Sequence, residues 1–206
     1  ESGCRAYLGV ADGFQIAPVF GSCSTVTREG LGGLHGERLK VGDRLPCRAI
    51  KERALLRVPP PQQPHYPRGA TLRVIPGYQE RHFPRLQQRR FFSSAFSVSQ
   101  RADRMGYRLE GPAITGELDG ILSEGICQGA VQIPTDGQPI VLLNDRQTIG
   151  GYPKIGAALS LDCARLAQQT PGAPVYFTPI SQHDAHNALH LAQVLASNPQ
   201  IQEYRP

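Results

Sequence analysis

The sequence predicts a mostly β protein built around a closed barrel, and three observations support this prediction. The 206 residues include 22 glycines and 18 prolines, which interrupt the chain too often for long helices. Short apolar runs recur between these residues, and each is long enough for one strand. Because so many short strands would otherwise expose their edges, a closed or nearly closed barrel is the arrangement that protects them.

The first part of the chain, residues 1–57, is expected to open with two strands. These are residues 5–11 and 15–20, and the pair Asp12-Gly13 between them is typical of a turn with positive φ. The chain does not begin with Met, and its first residues have the pattern of a strand already under way. We therefore expect an N-terminal portion of the protein to be absent from this sequence.

A proline-rich linker is predicted at residues 58–70. Five prolines fall within it, and such a composition favours an extended backbone without regular hydrogen bonds. This is the clearest boundary in the chain, and residues 71–206 form the unit that follows it.

The unit at 71–206 is predicted to contain six strands and three helices. The first two strands are 71–76 and 95–99, and the other four, each bounded by Gly, Pro or Asp, are 107–109, 130–133, 140–143 and 175–178. Two helices are predicted at 81–92 and 160–168. The last helix is the best defined, because Ser181 suits the N-cap, Asp184 lies in the first turn, and apolar residues recur from Ala185 to Leu195 at helical spacing.

Composition excludes several classes of protein. Five cysteines without a C-x-x-C pair predict free thiols in a reducing cytosol instead of a disulfide framework or zinc site. No apolar run is long enough to cross a bilayer, and no secretory leader opens the chain, so a cytoplasmic location without a membrane is expected. No helix-turn-helix or RNA-binding signature occurs, so no nucleic acid is expected as a partner.

Charge is distributed unevenly along the chain. The stretch from Arg44 to Arg108 is strongly basic, whereas the remainder from Leu109 is acidic. Such a division suggests complementarity between the two halves, or with an anionic ligand or an acidic partner. A blander interpretation is that the many arginines reflect the base composition of the genome, and we favour it for most of them.

The common catalytic motifs are missing. No lysine lies in a G-x-x-x-x-G-K-[ST] loop, and the G-x-S-x-G spacing fails at Ser22, so neither a P-loop nor a nucleophile elbow is predicted. Met105 is the only methionine, and no biotin-attachment sequence surrounds it. His183, His186 and His190 share a helical face, but Asn187 stands where a zincin needs Glu, so we predict no metal site.

Residues 132–154 are the most informative segment. The pair Gly150-Gly151 gives a backbone that can adopt positive φ and approach a ligand closely. Pro153 biases Tyr152 towards an extended conformation, and consecutive amides in such a loop can bind an anion. From the residues alone, a ligand-binding loop and a structural loop between barrel strands are equally supported.

Three stretches of this sequence resemble the KipA/allophanate-hydrolase-subunit-2 family. The strongest is Gln138-Pro139-Ile140 followed by Asp145-x-Gln147-Thr148-x-Gly150-Gly151-Tyr152-Pro153. The second is Arg104-Met105-Gly106-Tyr107-Arg108-Leu109-Glu110-Gly111. The third is Arg5-Ala6-Tyr7-Leu8 followed by Gly21-Ser22-x-Ser24-Thr25 and Gly30-Leu31-Gly32-Gly33. The match runs in order to about Phe177, and its departures, such as Ile149 where Thr is common, are minor.

The resemblance implies a fold of two cyclophilin-like β-barrels in tandem. Residues 1–57 would then be the remainder of a first, incomplete barrel, and 71–206 a second barrel with a C-terminal helix. The family's opening third would lie outside this chain.

The resemblance also implies a function, as the C subunit of an ATP-dependent 5-oxoprolinase that converts 5-oxo-L-proline to L-glutamate. The implied partners are a KipI-like B subunit and a LamB/YcsF-like A subunit, and ATP would bind at the level of the complex. Alternatives within the family are a urea amidolyase-type module in biotin-dependent carboxyl transfer and a KipA-like antagonist of a kinase inhibitor.

No nucleophile or base is evident in the sequence, so the catalytic residues are left unassigned. We expect a substrate-binding site in which an arginine holds the substrate carboxylate and backbone amides face the developing oxyanion. The candidate residues are Arg104, Arg108, Gln138, Gln147, Thr148, Gly150, Gly151 and Tyr152.

Overall fold

The computed structural model describes residues 3–49 and 54–203, and contacts divide them into two compact units. The larger unit comprises residues 3–5 and Val58–Gln202, and the smaller one comprises the described part of Ala6–Arg57 together with Glu203. The assignment of residues 1–57 to a first barrel, 58–70 to a linker and 71–206 to a second barrel stays a prediction.

The described residues form short strands and three α-helices. The helices are α1 (Arg85–Ser93), α2 (Ser160–Leu166) and α3 (Gln182–Ser197), and single 3-10 turns occur at Pro60–Gln62 and Glu80–His82. The strands are β1 (Leu56–Arg57), β2 (Ala70–Pro76), β3 (Phe96–Ala102), β4 (Gly106–Glu110), β5 (Glu124–Gly125), β6 (Ala130–Gln132), β7 (Ile140–Leu142), β8 (Ile149–Gly150), β9 (Lys154–Ala158), β10 (Pro174–Pro179) and β11 (Gln202–Glu203).

Seven of these strands close a barrel in the order β10-β2-β9-β6-β7-β4-β3, with β3 returning to β10. The pair β10–β2 is parallel and the other pairs are antiparallel. The predicted mostly β, cyclophilin-like barrel is therefore confirmed. Closing the barrel gives the backbone N–H and C=O groups of each strand hydrogen-bond partners on both edges. Strands as short as three residues would be unstable in an open sheet.

Alternate side chains of the strands fill the barrel. Leu72 and Val74 of β2 are fully buried, as are Val131 of β6 and Val141 of β7. Helix α1 adds Phe91, whose ring stacks on Phe177 with the centroids 4.2 Å apart. Because the inner positions take alternate residues, the intervening side chains of the same strands face outward.

Helix α2 is joined to the outside of β2 by a buried ion pair. The Asp162 carboxylate, which is 0% exposed, accepts hydrogen bonds from Nε of Arg73 at 2.8 Å, from its Nη2 at 2.9 Å and from its backbone N–H at 2.9 Å. Three donors on one carboxylate offset the cost of removing its charge from water. This contact fixes where α2 begins relative to the barrel.

The predicted strands and helices of the barrel unit are largely confirmed, but one strand of the closed barrel, β9, and the two-residue strands β5, β8 and β11 were not predicted. Ser181 caps α3, since its hydroxyl accepts the backbone N–H of Asp184 at 3.1 Å. Strand β9 was missed because Lys154–Ala158 has only one β-branched residue and contains Gly156. Gly156 is required there: a β-carbon would lie 2.5 Å from the carbonyl oxygen of Ile75.

The two strands expected at 5–11 and 15–20 do not form. The turn between them does, since Asp12 and Gly13 have φ of 60° and 72° and the N–H of Gly13 bonds the carbonyl of Val10 at 3.0 Å. The flanking residues make only isolated bridges, such as Phe14 with Cys47. An extended segment becomes a strand only where an adjacent segment forms a continuous series of backbone hydrogen bonds with it. The local sequence pattern does not show whether such a partner exists.

No helix among residues 3–49 and 54–203 combines the length and apolarity that spanning a bilayer requires.

Candidate functional site

A row of side chains crosses the outer face of four barrel strands. The pairing register places Arg108 of β4 opposite Ile140 of β7, Ile140 opposite Gln132 of β6, and Gln132 opposite Lys154 of β9. Directly paired residues of antiparallel strands project from the same face. The row therefore brings a lysine and a glutamine side by side on the outside of the barrel.

A short ladder covers part of this face. It consists of residues 121–126 paired with residues 148–151, and we call it the β5–β8 ladder. Its hydrogen bonds include the N–H of Ile121 to the carbonyl of Gly151 at 2.8 Å and the N–H of Ile126 to the carbonyl of Thr148 at 2.9 Å, with Glu124 paired to Gly150. Beneath it Ile126, Ala130 and Leu142 form a small apolar cluster, so the ladder is held to the barrel by packing.

Both glycines of the predicted loop lie in this ladder. A β-carbon on Gly150 would lie 2.4 Å from Cδ1 of Ile126 and 3.0 Å from Nε2 of Gln132. A β-carbon on Gly151 would lie 3.0 Å from the carbonyl oxygen of Ile121. Neither glycine has positive φ, so the conformational freedom that the sequence offered is not used. The residues are small because the ladder lies close to the barrel.

Four side chains form a hydrogen-bonded group at the edge of the ladder, which we call the Lys154 cluster: Tyr78, Gln79, Glu124 and Lys154. The Glu124 carboxylate accepts from the Tyr78 hydroxyl, from the Lys154 ammonium and from Nε2 of Gln79, the last at 2.9 Å. Gln79 is buried, and its Oε1 accepts the backbone N–H of Lys154 at 2.8 Å. The cluster therefore joins three separate segments of the chain.

Hydrogen bonds within the cluster shift the pKa values of Glu124 and Tyr78. The Lys154 ammonium, followed by the Tyr78 hydroxyl, lowers the pKa of Glu124 below its ordinary value by hydrogen bonding. The hydrogen bond to Glu124 raises the pKa of Tyr78, because losing that proton would place two negative charges together. At neutral pH the site thus combines a carboxylate with hydroxyl, amide and ammonium donors.

Gln132 carries a buried donor next to the cluster. Its side chain is 1% exposed, and its Nε2 has no hydrogen-bond partner among the residues that the structure describes. A buried amide without a partner costs about 1–3 kcal/mol. Gln132 lies opposite Lys154, beyond a shift in the register of β6 and β9, and its Nε2 faces Gly150.

The structure divides the sequence-predicted residues into two groups. Gln147, Thr148, Gly150, Gly151 and Tyr152 belong to the ladder or flank it, with the side chains of Gln147, Thr148 and Tyr152 exposed. Arg104 pairs with Asp145 at 2.8 Å in an exposed ion pair, and Arg108 pairs with Asp136. Gln138 bonds both backbone groups of Gly111, at 2.9 and 3.1 Å.

Sequence reasoning missed the Lys154 cluster and Gln132. Tyr78, Gln79 and Glu124 lie in segments with no motif, and only the closed barrel brings them to residue 154. One available signal was Lys154 itself, one of three lysines in the chain and the residue directly after Pro153. Its side chain is only 13% exposed, which is unusual for a lysine without a role for its charge.

No group of three or more His, Cys, Asp or Glu side chains in residues 3–49 and 54–203 is arranged to hold a metal ion. His183 instead contacts Asn187 on the same exposed helix, with 3.1 Å between Nε2 and Nδ2.

The chain is similar to bacterial 5-oxoprolinase C subunits over most of its length. It is 42% identical over 189 residues to the 5-oxoprolinase C subunit of Escherichia coli strain K12, covering 91% of this chain and 60% of that protein. It is 34% identical over 200 residues to the 5-oxoprolinase C subunit of Haemophilus influenzae strain Rd, covering 93% and 63%. The chain thus spans about three fifths of the length of these relatives.

Two further comparisons define the family. The crystal structure of Kluyveromyces lactis urea carboxylase matches the fold with a TM-score of 0.82 at 22% identity, covering 95% of this chain and 19% of that protein. The model of the carboxyltransferase domain, subdomain A and B, matches residues 1–179. The chain therefore belongs to the carboxyltransferase-domain family that includes the 5-oxoprolinase C subunits.

Proposed function

We propose that this chain acts as part of the C subunit of an ATP-dependent 5-oxoprolinase, which converts 5-oxo-L-proline to L-glutamate. The observation that carries the proposal is the 42% identity to the Escherichia coli protein over 91% of this chain. The Lys154 cluster supports it, because the substrate presents a carboxylate and a lactam carbonyl, and the cluster offers ammonium, hydroxyl and amide donors.

Opening the lactam of 5-oxoproline requires such hydrogen-bond donors. A lactam resists hydrolysis, and phosphorylation of its oxygen by ATP supplies both a leaving group and driving force. Negative charge develops on oxygen as the carbonyl carbon is attacked, and preorganised donors in a site shielded from water stabilise that charge. We assign this role to Lys154 at the edge of the β5–β8 ladder and to Gln132, whose Nε2 lies next to Gly150 of the ladder.

The sequence-predicted residues keep a place in this proposal. Gly150 and Gly151 allow the ladder to lie close to the barrel, and the exposed side chains of Gln147, Thr148 and Tyr152 are proposed as substrate contacts beside it. Arg104, Arg108 and Gln138 are proposed as contacts to an anionic substrate group or a partner protein. The arginines would make these contacts only after exchanging Asp145 and Asp136 for the new acceptor.

ATP and further subunits complete the proposed enzyme. The chain has no P-loop, so we place ATP in the complex and not in this chain alone. The relatives are named as subunits, which supports an assembly of several chains. A KipI-like B subunit and a LamB/YcsF-like A subunit are the proposed partners, in the cytosol.

A second candidate is carboxyl transfer in a urea carboxylase-type enzyme. The match to the carboxyltransferase domain favours it, and such chemistry also requires donors around a carboxylate or carbamate. In that case biotin would be carried by another part of the assembly, because this chain has no attachment sequence.

The proposal is tested by placing this chain in its relative. The matching segment of the Escherichia coli C subunit is replaced by this chain, giving a hybrid C subunit, and glutamate release from 5-oxoproline is measured with the partner subunits and ATP. We expect ATP-dependent turnover from the complex and none from the isolated 206-residue chain. A folded hybrid that assembles but releases no glutamate would refute the proposal. The alternative predicts instead that this chain, placed in the matching segment of a biotin-carrying urea carboxylase, supports ATP-dependent carboxylation of urea.

A further inference from the structure

Glu124 lies where a ligand carboxylate would be expected. Its carboxylate accepts hydrogen bonds from the side chains of two segments that are distant in sequence: Tyr78 and Gln79 before α1, and Lys154 at the start of β9. An ammonium, a hydroxyl and a primary amide directed at one carboxylate are the components of a carboxylate-binding site. Here the chain itself supplies the carboxylate.

Gln132 gives an independent indication of a ligand. Its amide nitrogen is buried without an acceptor among the described residues, and its strand partner is Lys154. The two residues lie opposite each other on β6 and β9, beyond a shift in the register after Val131. The donor of Gln132 is thus placed to serve a second acceptor group on a small molecule whose carboxylate contacts Lys154.

The segment that carries Glu124 is short and partly exposed. Strand β5 is two residues long, and the Glu124 side chain is 31% exposed. A β-carbon on the following residue, Gly125, would meet open space, so no described atom packs against that side of β5. A short exposed strand opens at a lower free energy than a barrel strand.

We propose that Tyr78, Gln79, Gln132 and Lys154 bind a small ligand that carries a carboxylate next to an amide carbonyl, and that Glu124 occupies the carboxylate position until the ligand displaces it. The carboxylate takes the place of Glu124, and the carbonyl accepts from Gln132. This inference rests on the proposed function, for which 5-oxoproline is such a molecule.

The test is direct binding to the isolated chain by titration calorimetry, without ATP or partners. The probes are 5-oxoproline and 2-pyrrolidinone, the same lactam without the carboxylate. Glu124→Ala removes the internal competitor, so we expect it to bind 5-oxoproline at least about tenfold more tightly than the parent. The affinity for 2-pyrrolidinone should change far less.

Two further variants separate the contacts. Lys154→Met should weaken binding of 5-oxoproline to Glu124→Ala while leaving 2-pyrrolidinone unaffected, because only the first probe has a carboxylate. Gln132→Leu removes the amide with little change of volume and should weaken both probes. Glu110→Ala removes an exposed carboxylate at the end of β4 and controls for the change in net charge.

The outcomes are distinct. If Glu124→Ala folds and binds 5-oxoproline no better than the parent, or if Glu110→Ala gives the same gain, the carboxylate of Glu124 is a structural ion-pair partner and the proposal fails. Should Glu124→Ala not fold, Glu124→Gln decides in the same way, because its neutral amide competes less with an anion. An active hybrid with unchanged binding overturns this inference alone, whereas tight binding with an inactive hybrid overturns the proposed function alone.

Discussion

Two carboxylates on the outside of the barrel are each held by three donors, yet their surroundings differ. Asp162 is fully buried, and all three of its close hydrogen bonds come from one residue, Arg73, on a central barrel strand. Glu124 is partly exposed on a two-residue strand, and its donors come from Tyr78, Gln79 and Lys154. A carboxylate with three hydrogen-bond donors therefore attaches a helix to the barrel at Asp162, and belongs to an accessible cluster at Glu124.

The difference shows how a structural ion pair is distinguished from a candidate site. A covered carboxylate on rigid elements contributes to stability and is unavailable to a ligand. A carboxylate on a short exposed strand, beside a buried donor without an acceptor, can be exchanged. Changes at Asp162 should therefore affect the free energy of unfolding, and changes around Glu124 should affect ligand binding and turnover.

The largest effect on stability is expected at Asp162. Asp162→Ala leaves the guanidinium and backbone N–H of Arg73 without an acceptor, and we expect it to lower the free energy of unfolding by about 3 kcal/mol. Turnover per folded hybrid molecule should be unchanged. Arg165→Ala is the control, because Arg165 contacts Asp162 only at 3.5 Å from an exposed position. Urea denaturation measures the free energy of unfolding of both variants. If both lose the same small amount, the Arg73–Asp162 pair does not stabilise the attachment of α2 to the barrel.

A smaller effect is expected at Gly150. Gly150→Ala forces a methyl group against Ile126 and Gln132, and overpacking of this kind costs about 1–2 kcal/mol. The ladder should also shift, which would lower turnover. Gly125→Ala in the same ladder meets no atom within 4 Å and should be tolerated. If the two alanine variants have the same melting temperature and turnover, then the close contact of Gly150 with Ile126 and Gln132 is not the reason for a glycine at this position.

The pH dependence of stability should report Glu124 with a smaller signal. Because its pKa is lowered on folding, its contribution is present above its ordinary value of 4.5 and is lost as the pH falls through the folded pKa. The stability difference between the parent and Glu124→Gln should therefore be constant near neutral pH and shrink on acidification below 4.5. Denaturation at several pH values checks this, and a difference that grows in acid would contradict it.

Thiol labelling sharpens the comparison without altering either carboxylate. Cys163 follows Asp162 and is buried, and burial raises the pKa of its thiol to about 12, whereas Cys127 follows the β5–β8 ladder and is exposed. At pH 8 a thiol reagent should modify Cys127 and the other three exposed cysteines, and Cys163 only after denaturation. Rapid labelling of Cys163 in the native protein would show that the α2 region opens as readily as the ladder.

Much of the barrel could be predicted from the sequence, because short apolar runs and turn residues report strands locally. The N-cap at Ser181 was predictable for the same reason. Strand β9 was not, since Ile155 alone gives a β-like signal and the other positions are small to fit against neighbouring strands. The segment at Gly150-Gly151 was expected to be a loop, whereas Ile149–Gly150 is strand β8, and its glycines allow close packing that depends on the barrel. Its part in ligand binding stays a prediction.

The Lys154 cluster lay beyond local reasoning. Glu124 and Tyr78 are 46 residues apart in sequence and meet only through the fold. The arginines stood out in a sequence motif, whereas the structure places each of them in an ion pair. Pattern identified the segment that contributes Lys154, and only tertiary structure identified what surrounds it.

The most direct test of the account compares Lys154→Met with Arg104→Met in the hybrid C subunit. Both changes remove one positive charge from a carboxylate pair, but only Lys154 adjoins Gln132. We expect kcat/KM for 5-oxoproline to fall at least about tenfold with Lys154→Met, equivalent to about 1.4 kcal/mol of transition-state stabilisation, and to fall less with Arg104→Met. A Lys154→Met enzyme that folds and turns over like the parent, while Arg104→Met does not, would contradict the placement of the site.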